Sequence, residues 1–365
     1  MSNASRVYRV FGVVSAFAVL VGAAARGGDS PATPAVTVHS YKAPDGHVYG
    51  ALLIKPDRVE TTVSAKDLVL LVDTSASQTG EFRTQSLDLV KAIVASLGKD
   101  DRAELIAVDV SPVKLSPGLV KAGSEELKSA LNKLEKRAPL GTCDLYSGLV
   151  TAAATLAEQN QRAKAILFVG DGVNSAGVFG PDKLAALTSQ LRSERIVVHT
   201  VGIGSDVAES SLERLATDTG GRCISEVSKE TPIDRLTVAI SQAMRTPVVY
   251  ANSLKVANEA LTLVPSSAPP LRVDQTTLFL TLGELGTSLT VSLEGQLDGK
   301  DLSREWTVTP AAHSEIYSYL PHLWEQWQQD KRVAATGDGR ESLELAQADR
   351  TDGITKLLVL GQIAA

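Results

Sequence analysis

The sequence predicts an α/β protein: a doubly wound, mostly parallel, six-stranded sheet, with a smaller β-rich domain formed by the segments flanking it. Three observations predict this. Runs such as DLVLLVD (67–73) and ELIAVDV (104–110) are continuously apolar, as strands buried on both faces of a parallel sheet must be. They alternate with segments whose apolar residues recur every three or four positions, the period of a helix packed on one side. After Thr246 the texture changes to short, turn-separated runs with partial two-residue alternation, the mark of antiparallel strands.

In chain order, Arg6 and Arg9 precede an apolar run from Val10 to Ala25 that ends in small residues, the pattern of a secretory signal peptide over 1–26. At about sixteen residues the run is shorter than the roughly 20 a membrane-crossing helix needs, so an uncleaved anchor is the second reading. Residues 27–35 are small and Pro-rich and read as a linker. Residues 36–62 hold two β-rich runs around Ala43-Pro44-Asp45-Gly46, a hairpin. The α/β domain occupies 63–246. Its strands are 67–73, 104–110, 163–172, 195–204 and 222–227, and its helices 82–97, 124–137, 144–159, 182–194, 210–221 and 232–245. Residues 247–312 read as a sandwich-like β region, which the hairpin is free to join. Residues 313–365 supply a helix near 314–328, a polar tail and a last apolar strand at 354–363.

Composition narrows the function. The net charge is −6 and there is no long basic run, which argues against a nucleic-acid partner because phosphate binding needs concentrated positive charge. The two cysteines, Cys143 and Cys223, form no CxxC pair, which argues against a structural zinc site. Cys143 is expected at the carboxyl end of the sheet and Cys223 at the start of a strand, near the opposite end. A five-residue strand spans about 17 Å, and bridged Cα atoms sit within about 7 Å. No disulfide between the two is expected.

The chemistry concentrates at strand ends. Asp73 closes the first buried strand and is followed by Ser75 and Ser77 at intervals of two, so an extended loop would aim all three side chains the same way. Asp171 closes a later strand and is followed by Gly172. In a doubly wound sheet, ligands bind beyond the carboxyl ends of the strands. Two carboxylates and two hydroxyls form a hard oxygen set suited to Mg²⁺, or to Mn²⁺ or Ca²⁺. Such a set leaves a coordination position that an acidic side chain of a protein partner can fill. The bland reading is that these residues cap the helices that follow.

The DTSAS loop after a buried strand, a Gly-Thr loop, and VGDG at a later strand end together resemble the metal-ion-dependent adhesion site of von Willebrand factor A domains, a pattern shared by integrin inserted domains and the anthrax-toxin receptors. The resemblance covers residues 67–245. It implies metal-assisted protein binding and adhesion rather than catalysis. It also implies a third motif residue, a threonine. Counting back from Gly148-Leu149 gives Cys143 for that slot; counting from Gly141 gives Thr142. The expected metal ligands are therefore Asp73, Ser75, Ser77, Thr142 and Asp171, with Cys143 as the alternative to Thr142. A thiol is a soft, poor ligand for Mg²⁺, so Cys143 in the slot would weaken or abolish the site and leave a scaffold. The flanking β regions, with HLWEQW (322–327) and ITKLLVLGQ (354–362), are loosely similar to inter-alpha-trypsin inhibitor heavy chains and their bacterial relatives. No GxSxG elbow or HExxH pair occurs, so a hydrolase has little support.

Overall fold

The computed structural model describes residues 35–56, 65–157, 162–177, 179–225, 227, 230–297 and 299–333. The expected signal peptide, most of the linker and the strand at 354–363 lie outside the described residues.

The first two strands, β1 (Val36–Lys42) and β2 (Val48–Ile54), form the expected hairpin, in register from Val36 against Ile54 to Lys42 against Val48. The α/β domain follows. Its elements are β3 (Lys66–Asp73), α1 (Glu81–Ser96), β4 (Arg102–Val108), β5 (Pro112–Lys114), β6 (Val120–Lys121), α2 (Glu125–Lys136) and α3 (Leu145–Leu156). They continue with β7 (Ala163–Gly170), α4 (Pro181–Ser193), β8 (Ile196–Gly202), α5 (Glu209–Thr219), β9 (Cys223–Ile224) and α6 (Ile233–Ala243). The sheet runs β5-β4-β3-β7-β8-β9, with β6 also on β4. The five strands from β4 to β9 in that order are parallel, and β5 and β6 are antiparallel to β4. The sheet thus has seven strands rather than six. β5 and β6, which no run in the sequence marked, are too short to carry any hydrophobic period and form only because they lie along β4.

Alternate residues of each strand face opposite sides, and both sides are covered. Val69, Leu71, Ile106 and Phe168 pack against α3, α4 and α5. Leu68, Leu70, Leu105 and Leu167 pack against α1, α2 and α6. All eight residues of β3 are buried, which is why its centre, Leu68 to Val72, is a continuous apolar run rather than an alternating one.

The remaining elements are β10 (Val248–Val256), β11 (Thr262–Val264), β12 (Leu271–Arg272), β13 (Thr277–Leu282), β14 (Leu289–Leu297), β15 (Lys300–Val308) and α7 (Leu320–Val333). The hairpin does join this region. Residue Leu52 pairs with Phe279, giving a sheet β1-β2-β13-β11 that faces a second sheet β12-β10-β14-β15. Val38, Leu52 and Ile54 pack against Leu271, Val291 and Leu293 between the sheets. On the other side of the first sheet, Ala51, Leu53 and Leu280 lie under Leu320, Leu323 and Trp324 of α7. Pro321 is tolerated because it sits in the first turn of that helix, where its missing N–H has no partner to lose. The α/β domain is thus an insertion between two parts of one sandwich. Arg272 ties the two together by donating to Gly220 O at 3.1 Å and Ala243 O at 3.3 Å.

Candidate metal centre

Asp73 is the last residue of β3 and is fully buried. The Ser75 amide donates to its Oδ1 at 2.8 Å, the local turn that Asp side chains commonly make with the backbone two residues on. The loop is not extended as expected, because Gln78 N donates to Ser75 O at 3.0 Å and closes a turn. The Ser75 and Ser77 hydroxyls nevertheless meet at 3.0 Å, Ser75 buried and Ser77 exposed.

Strands β3 and β7 are direct neighbours, with Val72 opposite Val169, so Asp171 enters the same edge one residue beyond β7. Val173 N donates to Asp171 Oδ1 at 2.9 Å. Gly170 makes the approach of the two acids feasible. A Cβ there would lie 2.4 Å from Asp73 Cβ and 3.0 Å from its Oδ2. Gln78, which no sequence signal singled out, spans the gap, with Nε2 donating to Ile203 O at 2.9 Å and to Asp171 Oδ2 at 3.5 Å.

The third side is the loop from Arg137 to Asp144. It is anchored by Asp109, the residue after β4. Arg137 donates to Asp109 Oδ2 through Nη2 at 2.6 Å and Nε at 3.0 Å, and Thr74 Oγ1 donates to the same oxygen at 3.0 Å. Asp109 obeys the rule that picks out Asp73 and Asp171, an acid closing a buried apolar run, and could have been found that way. Leu140 N donates to Thr74 O, Ala76 N to Gly141 O, and Asp144 N to Asp109 O, at 3.0, 3.0 and 2.7 Å. These bonds bracket residues 142 and 143 on both sides. They leave Thr142 exposed and turn Cys143 inward, 1% exposed. Cys143 N is held by Ser175 Oγ at 2.9 Å. It is Cys143, not Thr142, whose side chain meets the acids.

Electrostatics record the crowding. Burial pushes Asp73 up to about 6, against the opposing hydrogen bonds from Ser75, with the nearby charge of Asp171 adding to the rise. Burial, together with the fields of Asp73 and Asp171, pushes the Cys143 thiol far above the usual thiol range. Asp73 Oδ2 is buried with no partner in hydrogen-bond geometry, an arrangement that costs free energy unless something positive compensates it. Among the described residues no three His, Cys, Asp or Glu side chains form a ready metal cage. The donors that fit a hard divalent ion are two carboxylates and two hydroxyls, and the thiol beside them does not.

Comparison with known proteins agrees with this architecture. The family model described as von Willebrand factor type A domain matches residues 66–224, from the first residue of β3 to the end of β9. Residues 66–224 form a von Willebrand factor A domain. Human inter-alpha-trypsin inhibitor heavy chain H4 is 26% identical over 167 residues, 44% of this chain and 18% of that protein. The mouse inter-alpha-trypsin inhibitor heavy chain 4 is 22% identical over 316 residues, 77% of this chain and 32% of that one. The second match therefore extends past the von Willebrand factor A domain into the sandwich. The chain spans less than a third of either relative's length. Among solved structures, a von Willebrand factor type A protein from Catenulispora acidiphila superposes with a TM-score of 0.59 at 14% identity, covering 89% of this chain and 88% of its own. The human COPII-coat protein Sec24c gives 0.52 at 10% identity, covering 78% of this chain and 50% of its own. Both share the fold.

The two cysteines are free. Cys223 is not at the far end of the sheet, however. It pairs with Thr200, near the carboxyl end of β8, because β9 is a two-residue strand set high on its neighbour.

Proposed function

We propose that this is an exported protein that binds a protein partner through its von Willebrand factor A domain, with a Mg²⁺-type ion at the carboxyl edge of the parallel sheet and without catalysis. Asp73, Ser75, Ser77 and Asp171 would hold the ion, which when bound supplies an open position for a partner carboxylate. The observation that carries this reading is Asp73 Oδ2, an unpaired oxygen of a buried acid beside a second acid and two hydroxyls. A second feature supports docking there. Of the six exposed large hydrophobic residues among the described residues, three (Val110, Leu140 and Val173) stand next to Asp109, in the Arg137–Asp144 loop and next to Gly172, around the site. Apolar groups beside a polar centre are what protein partners bury. Export rests on the N-terminal charge and apolar pattern; no described helix is long and apolar enough to cross a membrane.

Mg²⁺ calorimetry on the purified chain and on Asp73→Ala tests the metal, and capture of partners from the native secretome with and without chelator tests its role. Saturable heat in the wild type, absent in Asp73→Ala, and chelator-sensitive capture are expected. Capture that ignores both chelator and Asp73→Ala removes the ion from the account. Cys143 favours a second reading, a binding scaffold that has lost its ion, and the same experiment decides between them.

A further inference from the structure

The side chain that completes the site is a thiol, and the fold leaves it no alternative. The bonds from Ala76 N to Gly141 O and from Asp144 N to Asp109 O hold the chain on either side of residues 142 and 143, and Ser175 Oγ accepts from Cys143 N. Moving Thr142 inward would break this register. Cys143 is 1% exposed and lies against Asp73, whose own Oδ2 is buried and unpaired. A sulfur atom and a buried carboxylate therefore share one corner, with the Ser75 and Ser77 hydroxyls and Asp171 close by.

Resting on the metal-site reading above, we infer that Cys143 makes this a mixed sulfur–oxygen site, selecting a thiophilic divalent ion of the zinc class over magnesium. Thiolate sulfur bonds strongly to Zn²⁺ and Cd²⁺ and weakly to Mg²⁺, whereas carboxylates and hydroxyls serve all three. Binding forms a metal–sulfur bond and breaks the S–H bond, so about one proton leaves to solvent for each ion bound. The carboxylate of Asp73 supplies the remaining negative charge at that corner.

Cadmium is the probe, because its bond to thiolate gives an ultraviolet charge-transfer band that oxygen ligation does not. The reduced full chain should develop this band on titration with CdCl₂. Cys143→Ser should abolish it, and Cys223→Ser should leave it in place, which removes the other thiol as its source. Cys143→Thr should bind Mg²⁺ roughly tenfold more tightly than the wild type and Cd²⁺ at least tenfold more weakly, within the range that ligand-environment changes produce. A band that survives Cys143→Ser, or its absence from the wild type, overturns the inference. If the wild type and Cys143→Thr bind Mg²⁺ equally with no cadmium band, thiol selectivity fails and the magnesium reading stands. If neither ion binds either protein, both fall. Should Cys143→Thr not fold, the Cys143→Ser and Cys223→Ser pair decides alone.

Discussion

Replacing Asp73 by asparagine removes a charge without changing shape, and its effect on stability follows from the environment of that carboxyl. Burial raises its pKa from 3.8 to about 6. A shift of about two units corresponds to about 3 kcal/mol, at about 1.4 kcal/mol per unit. Because the folded-state value lies above the unfolded one, the native protein holds this proton more tightly. The contribution is complete below about pH 4 and is lost as pH rises through about 6. At pH 7.5, without metal, the ionised Asp73 costs the fold about 3 kcal/mol. Asparagine avoids that cost, keeps the acceptor that Ser75 N uses, and places an amide where Oδ2 has no partner. Urea denaturation in chelator should therefore show Asp73→Asn more stable than wild type by about 1–3 kcal/mol at pH 7.5 and equal to it at pH 4. Adding a divalent ion should stabilise the wild type and leave the variant unmoved. A variant that is less stable than wild type at pH 7.5, or that gains equally at both pH values, would show that the buried charge is compensated in the ion-free fold.

Two further perturbations test the scaffold of the site. Gly170→Ala should cost about 1–3 kcal/mol, since the new methyl would sit 2.4 Å from Asp73 Cβ and 2.9 Å from Phe168 Cζ; thermal unfolding measures it, and a neutral result would refute the close approach of β7 to Asp73. Arg137→Met should cost about 1–3 kcal/mol by leaving Asp109 with Thr74 alone among its side-chain donors. Amide exchange at Leu140 and Asp144 should accelerate in that variant, and unchanged exchange would show that the Asp109 pair does not hold the loop.

Much of this protein is legible along the chain. The strands of the α/β domain announce themselves because a strand covered on both faces is apolar at most of its central positions, as at Leu68–Val72 and Leu105–Val108. The first acids after those runs, Asp73, Asp109 and Asp171, accordingly mark the carboxyl edge. Helix ends are equally local, as where Ser124 caps α2 with its hydroxyl on Leu127 N at 3.3 Å, and Gly220 ends α5 with a left-handed backbone.

What the linear pattern left open turns on bonds between residues far apart in sequence. Whether the hairpin at 36–54 belongs to the later β region was decided by its pairing with β13, more than two hundred residues on. The position of Cys223 followed from where a two-residue strand could seat on β8.

A doubly wound sheet with hydroxyls and carboxylates collected at one edge can be read along the chain, because hydrophobic period and strand-end acids are properties of neighbouring residues. That Cys143 turns inward toward those acids while Thr142 stays exposed emerges from the folded chain alone. Both counts of the loop satisfy the local pattern, and the choice was made by Thr74, Ala76, Asp109 and Ser175, whose hydrogen bonds fix the path of a loop that has no conformation of its own.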